Sequence, residues 1–275
     1  MHLNFTNKRG KMNLMKKQSE YINEGAQEFI DSLKPGTLPI NPDEDEFFDI
    51  LKKDSADYLD GKINRLEDPE YKEKDPSEEF LYNYYKTTKK KVIEVAILSI
   101  DVVDSTKLSH VLTQENYAKV ISVILREVSH IIYNYNGYPL KYVGDEIMAY
   151  FPGPDITGMH NNALFCAYGI KKYILKVLNP LLSERSFPEI KFRISLNSGK
   201  AILTVVGHPN SMQHFDLIGE PINTTKKIQL KTEINAILLG ESAKSFTHQF
   251  WNSKIDPILV ENENNIKVYR LNILV

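Results

Sequence analysis

The run from Val92 to Asp101, VIEVAILSID, is almost continuously apolar and ends on an acid. Such a run is typical of a central strand that is buried on both faces of a sheet. A carboxylate at the end of a buried strand costs free energy unless it is ion-paired or binds a metal. The run therefore predicts a central strand and makes Asp101 a candidate metal ligand.

A second acid lies in the stretch from Lys141 to Phe151, KYVGDEIMAYF. Two short apolar runs flank Gly144-Asp145-Glu146, and this pattern predicts a β-hairpin with Asp145 at its tip. Gly-Asp is also common in solvated turns, so the hairpin alone leaves that interpretation open. If the two strands are neighbours, Asp101 and Asp145 form a two-carboxylate metal site suited to a phosphate-bearing substrate.

Helical and strand patterns alternate along the rest of the chain. Apolar residues at helical spacing predict a helix ending before Gly137 and a second one over residues 162–182. Strands are predicted at residues 190–196, 201–206 and 214–218, a helix begins near Glu220, and two late runs complete the sheet or form a peripheral hairpin. The order strand, helix, strand, strand, helix, strand predicts an α+β fold with a ferredoxin-like βαββαβ core.

Four motifs occur in the order and spacing of one enzyme family. They are SIDVVDST at residues 99–106, KYVGDE at 141–146, FRISLNSG at 192–199 and FDLIGEPIN at 215–223. Together they resemble the class III nucleotidyl cyclase catalytic domain. The resemblance implies a cyclase domain over residues 91–275, preceded by a partly helical or linker extension over residues 1–90.

The resemblance also implies roles for particular residues. Two divalent ions, Mn²⁺ or Mg²⁺, would be held by Asp101, Asp145 and the backbone carbonyl of Val102. Arg193 matches the arginine that meets the terminal phosphates, and Asn223 matches the asparagine that orients the ribose. The remaining residues assigned by resemblance are Ser105 and Thr106 in the substrate-binding turn and Lys227 at the transition-state cation position.

Base recognition is implied at Lys141 and Asp216, the positions that adenylate cyclases of this class use. Lysine can donate to an adenine ring nitrogen and aspartate can accept from the amino group, which favours ATP. Cytosine offers a similar pattern, so a pyrimidine cyclase making cUMP or cCMP, of the kind that signals phage infection in bacteria, is the alternative. A plain Lys141–Asp216 ion pair without base contact is a further alternative.

Three departures from the family pattern affect the phosphate site. Asp104 stands where the family usually has glycine, and its carboxylate either repels a triphosphate or points away. Lys227 replaces an arginine and so keeps the charge but loses the bidentate fork. In the last hairpin, Glu261 and Glu263 stand where a phosphate-binding lysine is expected. These departures leave open a catalytically silent nucleotide-binding module, and a diguanylate cyclase or polymerase palm is a weaker alternative.

Composition sets limits on partners. The 275 residues carry a net charge of −2, which gives no global attraction to nucleic acid or an acidic membrane surface. No apolar run is long enough to cross a bilayer, and the single cysteine, Cys166, fits a reducing compartment. We therefore expect a cytoplasmic protein whose partners are a nucleoside triphosphate and a second copy of itself.

The resemblance places the active site between two subunits. Asp101, Asp145 and Arg193 would come from one subunit, and the second group, Lys141, Asp216, Asn223 and Lys227, from the other. One chain carries both groups, so we expect a head-to-tail homodimer of C2 symmetry with shared sites. The extension before residue 90 shows no ligand-binding pattern and is interpreted as a packing or dimer-supporting arm, with a regulatory arm as the alternative.

Overall fold

The computed structural model describes residues 44–62, 76–153, 155–208, 213–258, 267–273 and 275. Most of the predicted extension, residues 1–43 and 63–75, and the acids at 261 and 263 lie outside this part. The described residues from Asp45 onward belong to one compact unit.

Helices and strands follow one another in a mixed order. The helices are α1 Glu44–Leu59, α2 Pro76–Thr88, α3 Ser105–Val111, α4 Gln114–Asn134, α5 Ile156–Tyr173, a π-helical turn Ile174–Leu178, α6 Asn179–Glu184, α7 Glu220–Gln229, α8 Glu241–Ser245 and α9 Gln249–Asn252. The strands are β1 Val92–Val102, β2 Tyr138–Val143, β3 Glu146–Pro152, β4 Phe192–Gly207, β5 Gln213–Ile218, β6 Ile237–Gly240, β7 Ile255–Ile258 and β8 Val268–Leu271.

One sheet contains all of these strands, in the order β2-β3-β1-β4-β6-β8-β7, with β5 paired to the far part of β4. Among the first four strands each neighbouring pair is antiparallel, with α4 connecting β1 to β2 and α5 connecting β3 to β4. This arrangement is the predicted ferredoxin-like βαββαβ core, so the α+β prediction is confirmed. The late strands β7 and β8 extend the same sheet.

The two faces of β1 pack against different layers. Alternate residues, among them Leu98, Ile100 and Val102, lie in the large core with α4 and α5, because successive side chains of a strand point to opposite faces. The intervening residues, including Val95 and Ile97, pack in a second core on the other face. Ser99 and Asp101 continue this second series, so Asp101 points away from the α4–α5 layer.

Local capping explains where the two core helices begin. The hydroxyl of Thr113 accepts a hydrogen bond from the Asn116 amide at the start of α4. The Asp155 carboxylate accepts from the Thr157 and Gly158 amides at the start of α5. The predicted second helix is interrupted by the π-helical turn just before Pro180, whose ring nitrogen has no hydrogen to donate.

One strand boundary differs from the prediction. Residues 197–200 were expected to separate two strands, but β4 runs through them without a break. Strand β1 pairs with β4 from Val92 to Val102 and supplies backbone partners throughout this segment. A continuous neighbouring strand therefore outweighs the local turn preference of Gly199.

The described helices before residue 90 pack on the core formed by the sheet and the helices α4 and α5. In α1, Phe48, Leu51 and Leu59 are buried in the same core as β1, and in α2 Leu81 lies in the second core. The hydroxyl of Ser55 hydrogen-bonds to the buried Tyr173 hydroxyl at 2.8 Å. The division at residue 90 stays a prediction.

Candidate active site

The sheet places three charged residues in a row on neighbouring strands. Asp101 of β1 lies directly opposite Arg193 of β4. In the β1–β3 register Ile100 lies opposite Ile147, so the next position sets Asp101 opposite Glu146. Directly opposite residues share a face of the sheet. The row Glu146, Asp101 and Arg193 is therefore on the face away from α4 and α5.

Asp145 lies beside this row, in the tight turn between β2 and β3. Gly144 has a φ of 65°, a backbone conformation that glycine adopts without a steric cost. Burial raises the pKa of the Asp101 carboxyl, and the negative charges of Asp145 and Glu146 raise it further. Asp145 is thus close enough to Asp101 to disfavour its ionised form. The Asp145 Oδ2 atom is buried, and no described residue gives it a hydrogen bond.

Two cations moderate this negative charge. Lys226 and Arg193 both lower the pKa of Asp101, against the larger effects of burial and the neighbouring acids. The Nε atom of Arg193 is buried and has no hydrogen-bond partner among the described residues. A guanidinium whose Nε has no partner, placed beside these carboxylates, is suited to an incoming anion.

Sequence reasoning missed two members of this cluster, Glu146 and Lys226. Glu146 begins β3 and is buried; its Oε1 accepts a 2.7 Å hydrogen bond from the Ser99 hydroxyl. Its Oε2 forms an ion pair with Lys226 Nζ of α7. The sequence did carry a signal for Glu146. Ser99 and Asp101 interrupt the apolar run of β1 at alternate positions, so the face that they share must meet polar side chains of a neighbouring strand. No comparable signal existed for Lys226.

The turn after β1 accommodates Asp104 in a left-handed conformation with a φ of 59°. Glycine adopts this conformation freely, and aspartate is among the few other residues that tolerate it. The Asp104 carboxylate forms an exposed ion pair with Lys107 at 3.0 Å. The Asp104 carboxylate is thus engaged by a cation of its own chain, which offsets the repulsion of a triphosphate considered above. Ser105 and Thr106 follow as the first residues of α3.

Lys141 and Asp216 lie together within one chain. Lys141 Nζ donates to Asp216 Oδ2 at 2.9 Å, and Asp216 Oδ1 accepts from the Leu217 amide at 2.8 Å. The side chain of Lys141 is 34% exposed and that of Asp216 is 14% exposed. Part of the lysine can thus be reached from solvent, which leaves a donor available to a ligand.

The helix α7 divides its polar residues between two directions. Asn223 and Lys227, one helical turn apart, are both exposed in the isolated chain. Lys226, which directly precedes Lys227, instead reaches Glu146 of its own chain. The structure therefore brings Asp101, Asp145 and Arg193 together, pairs Lys141 with Asp216, and leaves Asn223 and Lys227 on the outer surface.

Comparison with known families identifies this arrangement. The model of the adenylate and guanylate cyclase catalytic domain matches residues 87–273. The chain belongs to this cyclase family. The match covers all the sheet strands and every candidate site residue named above.

Individual relatives act on different bases. The cytidylate cyclase of Escherichia coli is 26% identical over 167 residues, which are 58% of this chain and 35% of that enzyme. The adenylate cyclase 1 of Rhizobium meliloti is 22% identical over 137 residues, 50% of this chain and 20% of that enzyme. The chain thus spans about a third or less of the length of these relatives.

Solved structures show the same fold. The adenylyl cyclase CyaB from P. aeruginosa superposes with a TM-score of 0.60 at 20% identity, covering 67% of this chain and 96% of that one. At this level of identity the likeness establishes the shared fold alone. No helix in the part of the chain that the structure describes is long and apolar enough to cross a membrane.

The cyclase site can be tested for its fit to metal ions, since enzymes of this family generally use divalent cations. Oxygen ligands of the kind that Mg²⁺ and Mn²⁺ prefer are present in Asp101 and Asp145. The buried Oδ2 of Asp145 has no described hydrogen-bond donor, as expected of an atom reserved for a cation. No three acid, histidine or cysteine side chains among the described residues are arranged as a metal cluster. Two carboxylates suit a site that the substrate's phosphates complete.

Proposed function

We propose that this chain is a nucleotidyl cyclase that converts a nucleoside triphosphate into a 3′,5′-cyclic nucleotide and pyrophosphate. The observation that supports this most is the position of Asp101, which lies opposite Arg193 and within the electrostatic influence of Asp145. Two acids and an arginine at one edge match what a triphosphate with its cations requires.

The reaction joins two parts of one substrate. The ribose 3′-oxygen attacks the α-phosphorus, the bond from that phosphorus to the bridging oxygen of the β-phosphate breaks, and the hydroxyl proton is released. The protein contributes mainly position and charge. When bound, divalent ions would lower the pKa of the attacking hydroxyl and neutralise the phosphates.

Each residue of the proposed site would then have a defined task. Asp101 and Asp145 would hold the cations, with the backbone carbonyl of Val102 as a further ligand. Arg193 would bind the terminal phosphates with its guanidinium group. The amides at Ser105 and Thr106 would approach the phosphates from the turn, where the Asp104 carboxylate is held by Lys107.

The base is most directly interpreted as adenine. The Lys141–Asp216 pair presents a donor and an acceptor side by side, which complements the ring nitrogen and amino group of adenine. The similarity to a cytidylate cyclase favours a second candidate, because cytosine also carries an amino group next to a ring acceptor. A uridylate cyclase belongs to the same pyrimidine alternative.

A homodimer would complete the site. Asn223 and Lys227 are exposed on α7 and would reach the partner's metal-binding edge. Val143 and Ile218 lie two residues beyond Lys141 and Asp216 on their strands and are 61% and 53% exposed. Exposed apolar side chains next to the base-binding pair are suited to burial against a second subunit.

The decisive test incubates the purified protein with Mn²⁺ and each of the four common nucleoside triphosphates, and measures cyclic nucleotide and pyrophosphate. We expect cyclic AMP from ATP; product from CTP or UTP alone would support the pyrimidine alternative. Asp101→Asn and Asp145→Asn should each lower the rate at least about 100-fold. Asp49→Asn, an exposed acid on α1, is the matched control and should leave the rate unchanged. Bound nucleotide without pyrophosphate release would refute the proposal.

A further inference from the structure

Three acids, not two, surround the metal-binding edge. Glu146 follows Asp145 directly, is buried, and lies opposite Asp101 across the β1–β3 pair. Its negative charge acts on Asp101 as that of Asp145 does. Nevertheless the described residues contain no three-ligand metal cluster. Whether Glu146 can join Asp101 and Asp145 as a cation ligand depends on its own contacts.

The contacts of Glu146 keep its carboxylate from binding a cation. One oxygen, Oε1, accepts the 2.7 Å hydrogen bond from Ser99, and the other, Oε2, is ion-paired with Lys226. Both oxygens are thus occupied by partners from β1 and α7. A carboxylate held on both oxygens cannot turn towards a cation without losing a charge-assisted hydrogen bond.

The position of Lys226 is fixed by the packing of α7. The Thr225 carbonyl, one residue earlier, accepts a 3.1 Å hydrogen bond from Ser195 of β4, and Gln229 donates to the Arg193 carbonyl at 2.8 Å. These contacts hold α7 against the sheet on both sides of Lys226. The ammonium group is therefore delivered to the acids by a fixed helix, although its side chain is 42% exposed.

We infer that Lys226 is a positioning residue that acts through Glu146: it neutralises the third acid and so sets how tightly the site binds divalent cations. This inference rests on the proposed metal site. Removing Lys226 and removing Glu146 change the net charge at the metal-binding edge in opposite directions. Without Lys226 the edge gains a free negative charge, and without Glu146 it gains a free positive charge.

The sign of the change distinguishes this role from a structural one. A lysine that only stabilised the fold would, when removed, leave cation binding unchanged or weaker. Here Lys226→Met should strengthen Mn²⁺ binding by about tenfold, because one unit charge near a divalent ion is removed. Glu146→Gln, which keeps the shape and can keep the Ser99 contact, should weaken Mn²⁺ binding by about tenfold.

The experiment is a titration of the full chain with Mn²⁺, without nucleotide, in which the electron paramagnetic resonance signal of free Mn²⁺ reports binding. Lys226→Arg should stay within about twofold of the parent, and Lys226→Met/Glu146→Gln should return to about the parent value. Lys231→Met, an exposed lysine just after α7, is the matched control and should have no effect. Thermal unfolding of each variant verifies that it is folded.

Several results would overturn the inference. They are equal or weaker Mn²⁺ binding by Lys226→Met, unchanged binding by Glu146→Gln, and no Mn²⁺ uptake by any of the proteins. Because the Glu146→Gln variant is nearly isosteric, it tests the inference even if Lys226→Met does not fold. The shifts in Mn²⁺ binding together with no cyclisation of any nucleotide would uphold the inference and refute the proposed function; the reverse result would do the opposite.

Discussion

Complementation between two inactive variants tests the shared site most directly. Asp101→Ala removes a proposed cation ligand from one side of the site, and Asn223→Ala removes the proposed ribose contact from the other side. Asp101 lies in the row of charges on the sheet, whereas Asn223 is exposed on α7. If each site takes the two residues from different subunits, a mixed dimer contains one intact site and one site with both substitutions.

The expected recovery follows from counting sites. Random exchange between equal amounts of the two variants makes half of the dimers mixed, and each mixed dimer has one intact site out of two. The mixture should therefore regain about one quarter of the parent activity, while each variant alone is at least about 100-fold reduced. The assay is cyclic nucleotide formation with Mn²⁺ and whichever triphosphate the parent enzyme converts.

The matched control mixes Asp101→Ala with Asp145→Ala. Both residues belong to the same side of the site, so each site of a mixed dimer carries one of the two substitutions and no activity should return. Differently tagged subunits, captured through one tag, show that exchange has taken place. If exchange is complete and the Asp101→Ala and Asn223→Ala mixture still shows only the sum of its parents, the assignment of these residues to opposite subunits is wrong.

Three further predictions concern substitutions at Lys227, Leu51 and Gly137. Lys227→Ala should lower turnover by about 100-fold through loss of a transition-state cation, and Lys227→Arg should match or exceed the parent; an unchanged rate in the alanine variant would remove the assignment. Leu51→Ala should lower the free energy of unfolding by about 2–5 kcal/mol in urea, because Leu51 of α1 is 1% exposed, whereas the exposed Lys52→Ala should change it little. Gly137→Ala should cost about 1–3 kcal/mol in the same assay, since the added carbon would lie 2.4 Å from the buried Phe151 ring; a loss below about 0.5 kcal/mol would contradict this reason.

Local patterns were enough to predict the core of the fold. The apolar run ending at Asp101 became β1, and the Gly144-Asp145 pair became the turn of the β2–β3 hairpin. Both signals depend on residues within a few positions of one another, which is the range over which periodicity and turn chemistry act. The predicted break near Gly199 was wrong because the partner strand, distant in sequence, decides whether β4 continues.

The two adjacent lysines of α7 show why the site was harder to predict. Consecutive helical residues point about 100° apart, so Lys226 and Lys227 have different neighbours. Motif matching by resemblance selects Lys227 and gives no reason to consider Lys226. Only the packing of α7 on the sheet shows that Lys226 meets Glu146, an acid 80 positions away. A contact of this kind has no local pattern from which it could be predicted.

The helices before residue 90 favour one of the two interpretations of the extension. The family match begins at residue 87, yet α1 places Phe48 and Leu51 in the core that α4 and α5 share with β1. An ion pair from Arg126 of α4 to Asp54 of α1, at 3.2 Å, adds a polar contact to the same surface. A regulatory arm that detaches would expose these apolar side chains to water, at a cost of about 1.5–3 kcal/mol for each. These contacts support the interpretation of the described part of the extension as a packing arm over that of a regulatory arm that detaches.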